Sequence, residues 1–150
     1  MTPAPVWPIN AAGVALVKEF EGCRLTSYQC PAGRWTVGYG HTGFDVKPGQ
    51  TITQAEADEF LRRDLIDAAA VVTRAVKAPL NENQRAALVS LCFNIGGGAF
   101  STSSLVKRCN VEAWDEAARE FPRWVHAGGR KLEGLIRRRE AERQLFLRAP

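Results

Sequence analysis

The chain has no apolar run approaching the roughly 20 residues needed to cross a bilayer. Its early apolar stretch, AAGVALV, lacks both the basic flank and the cleavage site of a secretory signal. This reading has no signal peptide and no transmembrane segment, and the expected site of synthesis and folding is a cytoplasm. Metal chemistry is equally poorly supplied. There are only two histidines, His41 and His126, and the four cysteines (Cys23, Cys30, Cys92, Cys109) form no CxxC pair. That spacing argues against a structural zinc site, so neither metal nor cofactor is expected. In a reducing compartment the thiols would be free, with Cys92 packed in the apolar run LVSLCFNIG. Internal repeats and long linkers are absent too, and 150 residues fit one domain, 1–150. Nothing calls for a second copy, and a monomer is expected.

Positive charge is present but unevenly spread. The net charge is +4, and residues 130–150 hold seven Lys/Arg against three Glu, so this tail carries the whole excess. Two readings stay open: a solvated helix face laced with Glu–Arg pairs, or a surface attracted to an anionic partner.

Local signals give a mostly helical chain with a small N-terminal sheet, an α+β class. MTPAPVWP, with the two residues that follow, reads as an extended lead-in over 1–10. Asn10 can cap a helix running to Glu21, and Gly22 can end it. The segment from Tyr28 to Gly43, with its PAG turn and RWTVGYG, suggests an antiparallel sheet. Thr53 with Glu56 is a capping-box signature for a long helix to about Lys77, and Asn81 with Gln84 repeats it. The GGG at 96–98 ends that helix, short helices follow near 101–108 and 112–121, and a final one spans about 133–148.

Chemistry concentrates in EFEGCRLTSYQCPAGRWTVGYGHTG, residues 19–43. Glu21 falls in the last turn of its helix, where backbone carbonyls concentrate negative partial charge and disfavour a carboxylate. A protonated carboxyl there could give its proton to a leaving oxygen. Glu19 points elsewhere and is expected to be solvated.

Eight residues separate Glu21 from Cys30, and five more separate Cys30 from Thr36. With EG at the start and TVGYGHT at the end, this resembles the phage lysozymes of glycoside hydrolase family 24, whose pattern is Glu, eight residues, Asp or Cys, five residues, Thr. ITQAEADEFLRRDL is similar to the family's interlobe helix, and LNENQRAALVSLCFNIGGGAF to its buried helix and cleft loop. RWVHAGGRKLEGLIRRREAERQLF resembles the C-terminal segment of the lambdoid branch.

The resemblance implies a lysozyme-like fold, two lobes joined by a long helix with a cleft between. It implies a muramidase that cuts the β-1,4 bond from N-acetylmuramic acid to N-acetylglucosamine in bacterial peptidoglycan. Glu21 would be the general acid, Thr36 would help to place the attacking water, and Cys30 stands where many members carry an aspartate. His41 and Asp64 match a structural ion pair, and Phe93, Asn94 and Ser104 match positions lining the sugar cleft. As an endolysin the protein would wait in the host cytoplasm, need a holin-type membrane partner to reach the periplasm and wall, and bind no nucleic acid.

Cys30 leaves the stereochemical outcome open. A free thiol titrates near about 8.5, and a neighbouring anionic Glu21 would depress its ionisation further. Two other functions also stay open at this point. One is a thiol-dependent peptidoglycan amidase or peptidase using Cys30 and His41. The other is a non-catalytic module that binds wall or nucleic acid through the basic tail.

Overall fold

The computed structural model describes residues 6–150. The first five positions of the lead-in lie outside the described residues. Its remainder docks: Ile9 is buried, Trp7 packs at the core's edge, and the Lys18 ammonium lies 5.4 Å from the Trp7 ring centroid.

Helix α1 covers Ala11–Glu21, with the Asn10 side chain accepting from the Gly13 amide at 3.0 Å. Gly22 ends it at φ 67°, a left-handed value that suits glycine. Three antiparallel strands follow, β1 (Arg24–Gln29), β2 (Trp35–Gly38) and β3 (His41–Thr42), in the order β1-β2-β3. In register, Thr36 faces Tyr28 on one side and Thr42 on the other.

Helix α2, Gln54–Ala75, opens on a complete Thr53/Glu56 capping box. At 1.5 Å per residue its 22 residues span about 33 Å. It packs on β2 and β3 and also on the helices that follow it, so it ties the sheet to the helical body. Helix α3, Glu82–Ile95, has its own capping box at Asn81/Gln84 and is buried continuously from Ala86 to Cys92. A helix buried on all sides belongs at a domain's centre, and α1, α2 and the C-terminal helix surround it. Gly13 permits the α1 contact: a β-carbon there would meet the Ala86 Cβ at 2.7 Å.

Four short helical pieces follow: α4 (Gly97–Ser101), α5 (Ser104–Asn110), α6 (Trp114–Ala118) and a 3₁₀ turn at Phe121–Arg123. The glycines at 97 and 98 therefore start α4 rather than simply stopping α3. A two-stranded hairpin, β4 (His126–Ala127) and β5 (Arg130–Lys131), leads into α7, Glu133–Leu147. The architecture is α+β and lysozyme-like. Among the described residues, no helix is long and apolar enough to cross a membrane.

Candidate active site

Glu21 closes α1 at the mouth of a cleft of about 430 Å³. The sheet side contributes Gly40 and Thr42, α2 contributes Asp64 and Asp67, and the end of α3 contributes Phe93 and Asn94. Arg138, on α7, holds the glutamate from behind: its Nη1 donates to Glu21 Oε2 at 2.5 Å. The other oxygen, Oε1, points toward Gly40, where a β-carbon would stand 2.8 Å away. One face of the carboxyl is thus anchored and the other meets the cleft.

Arg138 is itself part of a buried network. Its Nε donates to Glu142 Oε2 at 3.2 Å and its Nη2 to the Ser90 carbonyl at 3.3 Å. Glu142 is fully buried, accepts from the Ser90 hydroxyl at 2.5 Å, and also pairs with Arg139. Arg139 donates to the Trp124 carbonyl at 2.8 Å and to Asn94 Oδ1. Two carboxylates and two guanidiniums therefore alternate from Glu21 to the cleft residue Asn94. Burying such charges is tolerable only when every one is paired, and here each is. The tail therefore divides: Arg137 and Arg143 pair with Glu133 and Glu140 on a solvated face, as expected, whereas Arg138 and Arg139 turn inward. Arg138 and Arg139 are 3% and 1% exposed, because carboxylates from α1 and α7 itself draw them inward. Nothing near Glu21 in sequence signals this partner, because Arg138 lies 117 positions away.

Cys30 follows β1 in a tight turn, where its amide donates to the Arg34 carbonyl at 2.8 Å and the Gly33 amide donates to the Cys30 carbonyl at 2.7 Å. The backbone hydrogen bond from Arg34 is the main influence holding the thiol below its ordinary value. Burial opposes it, while the Ala32 backbone, the Thr36 side chain and the Arg34 charge add to it. Glu21 was expected to suppress the thiolate, but these neighbours act in the opposite direction. Thr36 is 3% exposed, and its hydroxyl donates to the Arg34 carbonyl at 3.1 Å. Neither Cys30 nor Thr36 lines the Glu21 cleft directly; Thr42, the strand partner of Thr36, does. Cys92 and Cys109 are buried and pushed up to about 11 and about 12 by desolvation, which leaves them chemically quiet.

His41 stacks on Phe60, with ring centroids 4.3 Å apart and planes within 5°. Its Nδ1 lies 2.8 Å from Asp64 Oδ2, and its Nε2 lies 2.9 Å from Asp45 Oδ1, a partner the sequence reading did not foresee. Desolvation, the largest single influence, pushes His41 down, but the two carboxylates together outweigh it and its pKa is raised. Burial likewise pushes Asp64 up, with His41 opposing. Ser104 stands apart from these groups. With Ser103, Glu120, Arg123 and Trp124 it lines a separate hollow. Among the described residues, no group of three or more His, Cys, Asp and Glu is arranged to hold a metal.

Comparison with known proteins follows the same lines. The Phage lysozyme family model matches residues 18–142. The chain is 47% identical over 142 residues to the endolysin of Acyrthosiphon pisum secondary endosymbiont phage 1, covering 92% of this chain and 97% of that protein. It is 44% identical over 140 residues to the endolysin of Bacillus phage PZA, where the match covers 92% of this chain and 54% of that longer protein. Among solved structures, the muramidase domain of SpmX from Asticaccaulis excentricus superposes with a TM-score of 0.88 at 43% identity, over 96% of this chain and all of that one. The chain belongs to the phage lysozyme family.

Proposed function

We propose that this protein is a peptidoglycan-degrading endolysin, a muramidase that hydrolyses the β-1,4 bond between N-acetylmuramic acid and N-acetylglucosamine. A single observation carries this reading: a half-buried glutamate, anchored through one oxygen by Arg138, presents its other oxygen to an open cleft. Glu21 acts as the general acid that protonates the departing glycosidic oxygen. From beside the cleft, where Thr42 adjoins Thr36, Cys30 acts as its thiolate, which the neighbouring donors favour, and takes the proton of the attacking water to become the neutral thiol, while Thr36 helps to place that water. Water attacks from the opposite face and the anomeric configuration inverts. Phe93 and Asn94 hold sugar rings in the cleft, and Ser104 meets the strand farther along. His41 and Asp64 brace the sheet against α2.

The rival readings lose support at particular atoms. Both ring nitrogens of His41 are engaged by carboxylates, so the histidine is not free to serve Cys30 as the base of a thiol peptidase. Two of the tail's cations are spent on buried pairs, which weakens a nucleic-acid or wall-binding module built on that tail. The chain works as a single domain, as a monomer and without cofactor. It waits in the host cytoplasm until a holin-type partner opens the membrane, and then acts on the periplasmic wall. Digestion of purified cell walls tests this reading. New reducing sugars without new free amines, and muropeptides ending in reducing N-acetylmuramic acid, are expected; release of amines instead would overturn it.

A further inference from the structure

A second hollow, of about 540 Å³, lies on the other side of Glu21 from the cleft and is lined by Phe20, Leu132 and Arg137 among others. Glu21 and Asn94 are the two residues that border both spaces. A strand running from one space to the other therefore passes between the acid and the Asn94 amide. Asn94 is exposed near the end of α3, but one atom of its side chain is committed: Oδ1 accepts from Arg139 Nη2. Arg139 is 1% exposed and is held from two further sides, by Glu142 and by the Trp124 carbonyl at 2.8 Å. A guanidinium carries donors and no acceptor, so only the oxygen of a carboxamide can face it. The Asn94 NH2 group is thereby turned away from the buried network, toward the space beside Glu21. Among the described residues, no acceptor of the protein lies within hydrogen-bond distance of that NH2 group.

We infer that Arg139 is a positioning residue that fixes the Asn94 amide with its donors toward the substrate, so that this point of the cleft reads a carbonyl oxygen. The inference rests on the muramidase reading above. In the polymer of that reading, each sugar carries an acetamido group on the carbon next to its glycosidic carbon. An acetamido carbonyl therefore stands beside every scissile bond. Asn94 donates to that carbonyl while Glu21 protonates the bridging oxygen. A sugar with a free amine there would be an ammonium and would set donors against donors, losing the hydrogen bond and leaving desolvated groups unpaired. The site thus selects N-acetylated strands, and a buried arginine that never touches the substrate sets that selectivity.

Hydrolysis of intact peptidoglycan and of peptidoglycan chemically stripped of its N-acetyl groups is compared for the wild type, Asn94→Asp and Arg139→Gln. Asn94→Asp still accepts from Arg139, so its melting temperature should not fall, but it turns an acceptor toward the strand. The preference for acetylated wall, read as a ratio of kcat/KM values, should shrink by on the order of 10-fold, mostly through KM. Taking the ratio cancels the effect of a new carboxylate on the nearby Glu21. Arg139→Gln frees the amide to turn and should shrink the same preference. Separately, tri-N-acetylchitotriose, which has acetamido groups and no peptide, and its free-amine form are titrated while the Asn94 side-chain NH2 signals are followed by NMR. A saturable shift with the acetylated sugar alone is expected, weakened in Arg139→Gln. An unchanged preference in Asn94→Asp, or no Asn94 response to the acetylated sugar, would overturn the inference. Wild-type preference and response in a folded Arg139→Gln protein would reduce the arginine to a structural cation and overturn its role; if that variant does not fold, Asn94→Asp and the titration decide. A preference that follows removal of stem peptide by an amidase, and not deacetylation, would move the contact to a peptide carbonyl and overturn the acetamido assignment. If no wall is cleaved at all, the muramidase reading fails, and the sugar titration still decides this one.

Discussion

Replacing Glu142 by Gln removes one negative charge from the centre of the α7 network while keeping the side chain's size. In the native protein Glu142 is fully buried and takes donors from Arg138, Arg139 and the Ser90 hydroxyl. After the substitution two buried guanidiniums face only Glu21 and neutral acceptors, and the amide turns one acceptor position into a donor. Breaking a buried charge pair from one side typically costs about 3–5 kcal/mol. For a chain of this length each kcal/mol moves the melting temperature by roughly 2–4 °C, so a fall of about 6–20 °C is expected. Thermal unfolding followed by circular dichroism measures it directly. Below the melting transition, lytic activity should also fall, because Arg138 loses the partner that aims it at Glu21. Pairing Glu142→Gln with Arg139→Gln removes both charges and should cost less than the sum of the two single changes. A shift of less than about 2 °C in Glu142→Gln would refute the claim that these buried charges depend on one another.

Asp64→Asn should lower the melting temperature about 2–4 °C more at pH 5.5 than at pH 9. His41 has a raised folded pKa, so its stabilisation is complete below the unfolded value near ~6.5 and is lost as pH rises through the folded one. Equal shifts at the two pH values would count against the pair. Cys30→Asp should keep or raise activity, whereas Cys30→Ser should slow it by about 10²-fold, and the first product should show inverted anomeric configuration. Full activity in the serine variant would reduce Cys30 to packing. Gly40→Ala forces a β-carbon onto a backbone at φ 76° and against Glu21 Oε1. A stability loss of about 1–2 kcal/mol and at least ~10-fold slower lysis are expected, and normal lysis would show that Oε1 does not need that space.

Local chemistry in the sequence marked out most of the scaffold. Asn10, the Thr53/Glu56 pair and the Asn81/Gln84 pair begin helices where their side-chain oxygens suggest, because capping involves residues only three apart. Glu21, Phe93 and Asn94 come to line one cleft. The hairpin His126–Lys131 escaped notice, since VHAGGRK pairs only two residues on each side and leaves little alternation to read. Arg138 and Arg139 of α7 depart from the solvated face for a different reason. Glu21 lies 117 positions from Arg138, and Ser90 lies 52 from Glu142, so charge counting along the tail cannot reveal that two of its cations have buried partners. A buried arginine in a polar helix carries no local signature. The spacing of GLIRRREAER at i, i+4 between Arg138 and Glu142 was the available hint, and it suggested a surface pair equally well.

The central claim is that Glu21 donates the proton that breaks the glycosidic bond. Glu21→Gln keeps the shape, can still accept from Arg138, and cannot supply that proton. Release of reducing sugar from purified peptidoglycan, measured beside the melting temperature of the same preparation, tests the claim most directly. A folded variant with activity reduced at least ~10²-fold is the predicted result. A folded Glu21→Gln protein that digests the wall at near the wild-type rate would contradict the account.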